Sequence, residues 1–262
     1  GGSSTDGGAF AFTIKDSGKG DGSKILSTEN KFGEPITLPK GQEHLDLSVK
    51  IAPSPNAAAI EGDVMKHIES DDLSALKAYV LSSITAWSFA DLSAFLKAVV
   101  TSASSDKAQA NAIDILTYLN DRRYDSGRKK LGSVLDMVRT TLTDIFMSFP
   151  KLSDKKNSRY SYIDWDSRDT LRAPEGNECV LVINARAFEP EGPNCDSRLM
   201  NKAFNLGWKH YICFGYKGQR FTGCGFGPKT TDVTIHVYDS SGDYLASGID
   251  GLEIQVHGNA QD

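Results

Sequence analysis

Between Gly215 and Asp232 the chain reads GYKGQRFTGCGFGPKTTD, five glycines around one arginine and one cysteine. Glycines at this density constrain the backbone more than the chemistry, because each admits left-handed φ and lets another backbone approach where a Cβ would stand. Three ligand readings compete with that one. A phosphate-binding P-loop needs G-x-x-x-x-G-K-[ST], and here Lys217 precedes the central glycines and no Gly-Lys-Ser/Thr occurs. A dinucleotide fingerprint needs G-x-G-x-x-G between a strand and a helix, whereas GCGFG has another spacing and Pro-Lys-Thr-Thr-Asp follows it. A metal loop wants several carboxylates or thiols close together, and only Cys224 is on offer. The stretch is therefore read as a bending device, with Gly215, Gly218, Gly223, Gly225, Gly227, Gly242 and Gly258 as structural glycines.

Its continuation, DVTIHVYDSSGDYLASGIDG, leads into LEIQVHGNAQD, and Val233, Ile235 and Val237 superpose on Leu252, Ile254 and Val256 at an offset of nineteen residues. Short strands returning at this interval with glycine corners read as a right-angled solenoid, each coil lacking a core until the next stacks on it. The expected fold class is α+β and multidomain: a helical bundle, then an α/β lead-in, then the first coils of a right-handed parallel β-helix. A solenoid needs about three coils for stability, so the domain is expected to run past Asp262.

The rest of the chain divides by period. Residues 1–58 are rich in Gly and Ser, with a flexible opening and short strands at ITLP and at Leu45, Leu47, Val49 and Ile51; APSPNAAA reads as a linker. Residues 61–150 carry helical periodicity and predict a bundle of four or five helices. The clearest stripe is Leu131, Val134, Leu135, Val138, Leu142, Ile145, Phe146 and Phe149, stopped by Pro150. Ser88 and Asp91 form a capping-box start for an earlier helix, and SDD breaks another stretch. Residues 151–176 read as a polar connector. From 177 to 262, ECVLVINAR, CDSRLMNKAFNLGW and HYICFGY read as strand, helix and strand ahead of the glycine stretch.

A net charge of -5 leaves no electrostatic footprint for nucleic acid or an anionic membrane. No apolar run approaches the roughly 18 residues of a membrane span. The opening GGSSTDGGAF lacks a signal-peptide layout and reads as an engineered or excised start. Cys179, Cys195, Cys213 and Cys224 match no zinc template and are read as reduced, mostly buried thiols of a cytoplasmic protein; a metal site and a single disulfide are the other readings.

No residue is assigned a catalytic or metal-binding role. Arg220, Cys224 and Lys217 are the candidate ligand contacts: the arginine for a carboxylate or phosphate, the thiol if a neighbouring cation activated it. The bland readings are that Arg220 ties a turn carbonyl or a carboxylate such as Asp232, and that Cys224 fills a small buried space. His236 and His257 are read as outward-facing surface or interface histidines and not as ligands. Asp71-Asp72, Asp164 and Asp166 are read as solvated surface, as is the basic run DRRYDSGRKK from Asp121.

Together, GQRFTGCGFG, SSGDYLASGIDG and LEIQVHGNAQD resemble the glycine-patterned β-helix domain at the C-terminus of glutamate synthase large subunits, over residues 178–262. In that family the domain is architectural, packing between an amidotransferase domain and a flavin-bearing synthase barrel. The resemblance therefore implies a non-catalytic scaffold in nitrogen metabolism, with amidotransferase and synthase domains or subunits as partners and FMN and an iron–sulfur centre only in those partner domains. Such an amidotransferase needs an N-terminal Cys, which Gly1 cannot replace, and the barrel and the cysteine cluster are missing too. The chain is not expected to be an enzyme by itself. Two other readings stand beside the scaffold: a ligand- or partner-binding regulatory domain with an anion site at the glycine loop, and an enzyme with Cys224 as nucleophile.

Overall fold

Five short runs rich in β-branched and aromatic residues become the strands of one sheet in the computed structural model, which describes residues 10–16, 24–30, 34–36, 44–45, 53–154 and 157–260. The chain forms two units, 1–52 and 53–262.

In the first unit β1 (Phe10–Asp16), β2 (Lys24–Asn30) and β3 (His44–Leu45) form an antiparallel sheet in the order β1-β2-β3, with Thr13 opposite Ser27. Thr28 fastens the next segment: its carbonyl accepts the Ile36 N–H at 2.8 Å and its hydroxyl donates to the Ile36 carbonyl at 3.1 Å. Ordered strands thus occupy part of the opening read as flexible. Leu45 lies in β3, whereas Leu47, Val49 and Ile51, and most of ITLP, lie outside the described residues.

The second unit opens with five helices: α1 (Ala57–His67), α2 (Ser74–Ile84), α3 (Phe89–Ser102), α4 (Asp106–Asp121) and α5 (Leu131–Ser148). Helix α1 begins inside the segment read as a linker, and SDD does separate α1 from α2. The box at the start of α3 forms, with Ser88 Oγ accepting the Asp91 N–H at 3.1 Å and the Asp91 carboxylate accepting the Ser88 N–H at 2.9 Å. Ser54 Oγ and Asn56 Nδ2 donate to the same carboxylate at 2.5 and 3.0 Å, and these bonds hold its pKa well below the carboxylate range. Lys129 is buried and closes the far end of α2 by donating to the Ile84 carbonyl at 2.7 Å and to that of Trp87.

The sheet of this unit has the order β4-β5-β6-β7-β8, all parallel: β4 (Tyr160–Ile163), β5 (Val180–Asn184), β6 (His210–Phe214), β7 (Thr234–Val237) and β8 (Glu253–Val256). β4 sits in the segment read as a connector; its four residues are all buried, and flanking polar residues hide it in the sequence. Helix α6 (Asp196–Asn205) crosses between β5 and β6, as the strand–helix–strand pattern predicts. The nineteen-residue offset is the pairing register itself, Ile235 opposite Ile254 and Val237 opposite Val256.

The β-helix, however, is overturned. Among the described residues β7 and β8 extend one open sheet, and the segments leading to them are turns that contribute no strand to a second sheet. Both faces of its strands β4 to β6 are covered instead. Tyr162, Val182, Ile212, Phe214 and Tyr238 pack on the helical layer, while Leu181, Ile183, Tyr211, Cys213, Ile235 and Val237 pack on α6 and Trp208. A fully parallel sheet is stable in this form because helices bury each face. The correct fold class is α+β: in the described residues, six helices and an all-parallel five-stranded sheet in the second unit and the small antiparallel sheet in the first. No helix among them is long and apolar enough to cross a membrane.

Phe146 joins the two layers. It is fully buried, its ring centroid 5.3 Å from that of Phe214 and 4.7 Å from that of Tyr238. Phe146→Ala is expected to destabilise the fold by about 3–5 kcal/mol, whereas Met147→Ala, at a 57% exposed neighbour, should change it by less than about 0.5 kcal/mol. Urea unfolding followed by circular dichroism measures both.

Candidate functional site

Parallel strands all end at one edge of their sheet, and in open α/β sheets ligands collect there. Just beyond β5, β6, β7 and β8 the chain places Arg186, Lys217, Asp239 and Asn259, which with neighbouring residues line a mostly polar cleft of about 670 Å³. Its other wall comes from the helices: Asn120 and Asp121 end α4, Arg123 follows them, and Arg139 lies on α5.

Four cations thus face one cleft: Arg123, Arg139, Arg186 and Lys217. Among the described residues none has a carboxylate within ion-pair distance. The two carboxylates of the lining are engaged otherwise. Asp239 Oδ2 accepts the Gly215 N–H at 2.8 Å, and Asp121 Oδ2 meets His257 Nδ1 at 2.8 Å. The lining keeps a formal charge of +2 with histidine neutral, against -5 for the chain.

A polar tie runs beneath this cleft from helix to sheet. A carboxylate only accepts, so His257 Nδ1 carries the proton shared with Asp121. With both rings neutral, His257 Nε2 then accepts from His236 Nδ1 at 3.0 Å. Burial and the adjacent His257 lower the pKa of His236. Asn120 donates to the His257 carbonyl at 2.7 Å and to Asp121 Oδ1 at 2.8 Å, and its own Oδ1 accepts from Arg139 Nε at 2.7 Å. Of the two, it is His257 that meets α4, through Asp121, and it is only 8% exposed; His236 reaches that helix by way of His257, so the pair lies at an interface and not on the open surface.

The three candidate ligand contacts separate. Lys217 lines the cleft. Arg220 does not: it pairs with Glu191 at 2.5 Å and Asp243 at 3.4 Å, and its guanidinium lies over Phe221 and Tyr244. Asp232, its suggested partner, pairs with Lys209. The Cys224 thiol donates to the Tyr244 carbonyl at 3.1 Å, and burial raises its pKa, the opposite of activation. All four cysteines are free. The five glycines of the opening stretch adopt positive φ, and Gly242 and Gly258 lie against backbone carbonyls of the preceding turn.

Asn120, Asp121, Arg123, Arg139, Arg186 and Asp239 escaped the sequence reading. Asp121 and Arg123 belong to the basic run taken as solvated surface. The signal that could have found Arg186 and Asp239 is position, each two residues past the end of a parallel strand. Among the described residues no group of three or more His, Cys, Asp or Glu could hold a metal ion. No family model, curated protein or solved structure matches the chain.

Behind the cleft, Asp196 is wholly buried at the start of α6. Its Oδ2 accepts from the Tyr216 and Thr222 hydroxyls at 3.1 and 3.3 Å, and its Oδ1 has no partner among the described residues. Burial outweighs these bonds and pushes its pKa up to about 6. A carboxyl with a raised folded pKa favours folding when protonated, so its contribution falls as pH rises from about 4 to about 6 and is flat above that. Asp196→Asn should remove this slope, gaining roughly 3 kcal/mol relative to the parent between pH 4 and pH 7. Denaturant midpoints across that range read the difference; parallel pH profiles for parent and variant would refute it.

Proposed function

We propose that this chain is a binding module for a small organic anion, held in the cleft at the carboxyl ends of β5 to β8. One observation carries the reading: four cations without carboxylate partners among the described residues converge on a single cavity in an acidic chain. The volume suits an organic ligand, for which such sites run about 300–1,000 Å³. Arg139 suits an anion in particular, because Asn120 holds its Nε and leaves the terminal N–H groups to form a fork. The anion site lies at the rim of the glycine loop, through Gly215 and Lys217, and away from Arg220 and Cys224.

The scaffold reading, with amidotransferase and synthase domains as partners and their FMN and iron–sulfur centre, rests on the resemblance over residues 178–262 and on no feature of the cleft, and the β-helix it was built on does not form in the described residues. The four free thiols fit a reducing compartment, and a cytoplasmic location is part of the binding-module reading.

Titration calorimetry with inorganic pyrophosphate tests the reading. Binding is expected to weaken as salt rises, since exposed charges are screened over about 8 Å at physiological ionic strength. Arg139→Ala should weaken it about tenfold, the loss of one fork contact. The reading fails if pyrophosphate does not bind, or binds equally well to an Arg139→Glu, Arg186→Glu double variant.

A further inference from the structure

We infer that the ligand of this cleft is a polyol or sugar with an anionic group at each end, of the sugar-bisphosphate class. The inference rests on the anion-binding reading and goes on to the ligand's shape. The cations are divided between two walls. Arg123 and Arg139 belong to the helical wall, after α4 and on α5, whereas Arg186 and Lys217 belong to the turns after β5 and β6. A single phosphate satisfies one wall and leaves the other pair unneutralised. Two anionic groups joined by a short body satisfy both.

The lining also describes the body. Each wall carries one carboxylate, Asp121 with the helices and Asp239 with the strand ends. Carboxylates repel an anionic group but accept from hydroxyls, and each keeps spare lone pairs: Asp239 uses only Oδ2, for the Gly215 N–H. Ser240 and Asn259 add polar groups alongside. A nucleobase would need an aromatic or apolar platform, worth about 1–3 kcal/mol per stacked base. The aromatic or large apolar side chains of the lining are Tyr216, Val256 and His257; Tyr216 is buried with its hydroxyl tied to Asp196 and Thr222, and the nearly buried His257 ring is already stacked with His236 and Tyr238.

Calorimetry with the full chain at low salt decides the matter, using fructose 1,6-bisphosphate, fructose 6-phosphate and ADP as probes against the parent, Arg139→Ala and Arg186→Ala. Both variants change exposed side chains, and their circular dichroism and melting should match the parent. The bisphosphate is expected to bind at least tenfold more tightly than the monophosphate or ADP. Each variant alone should bring it close to the monophosphate value. Equal affinities for the two sugar phosphates, both weakened by the variants, would overturn the two-ended ligand while leaving an anion site. ADP binding as tight as the bisphosphate would overturn the hydroxylated body. Absence of binding by all three probes would overturn this inference, and the separate pyrophosphate titration then tells whether the anion-binding reading falls with it.

Discussion

Strands β4, β5 and β6 are buried on both faces, and the rest of the second unit follows from that. Alternate side chains of these three strands enter two different apolar layers, so none of them can slip by one residue without exchanging its layers. Phe146 fills the helical layer opposite Phe214 and Tyr238, and Trp208 and Met200 fill the other. Since the strands are parallel, every carboxyl end arrives at the same edge. That edge is where the chain leaves the apolar layers, and polar groups from four successive turns can converge there without burying an unpaired charge.

The helical layer contributes to that edge through hydrogen bonds as well as packing. His257 at the end of β8 is nearly buried, so its ring nitrogens need partners, and Asp121 and His236 provide them. The same cross-tie fixes Asn120, and Asn120 orients Arg139. A residue on α5 is thus aimed by a strand that reaches it only through side chains of α4. The ties lie in sequence 137 and 136 positions apart, so no local pattern could announce them.

What the sequence disclosed and what it hid follow from this geometry. The helical stripes were legible because one face of each helix is apolar over several turns, and the Val233-to-Leu252 repeat was legible because parallel neighbours share a register. The same repeat misled about architecture. A strand period of nineteen residues fits stacked coils and an open parallel sheet equally well, and the difference lies in what covers the outward side chains. Here the helices cover them, through residues such as Phe146 and Thr117, whose hydroxyl meets the Tyr238 hydroxyl at 2.7 Å. The cleft was hidden for a related reason. Its cations come from four separate segments, each an ordinary solvated residue in its own neighbourhood.

At the strand ends the glycine stretch serves binding by bending. At Gly215, with φ +77°, an added Cβ would stand 2.7 Å from Asn184 Oδ1; at Gly258 it would stand 1.9 Å from the Asp239 carbonyl oxygen. Side chains at these positions would push apart the turns after β5, β6, β7 and β8. With glycine the turns nest: the Gly215 N–H reaches Asp239, and Arg186, Lys217, Asp239 and Asn259 are brought to one rim. The glycines bind nothing through side chains and still determine whether a binding rim exists, because the nested turns bring Arg186 and Lys217 together on one side of the cleft, facing Arg123 and Arg139 of the helical wall.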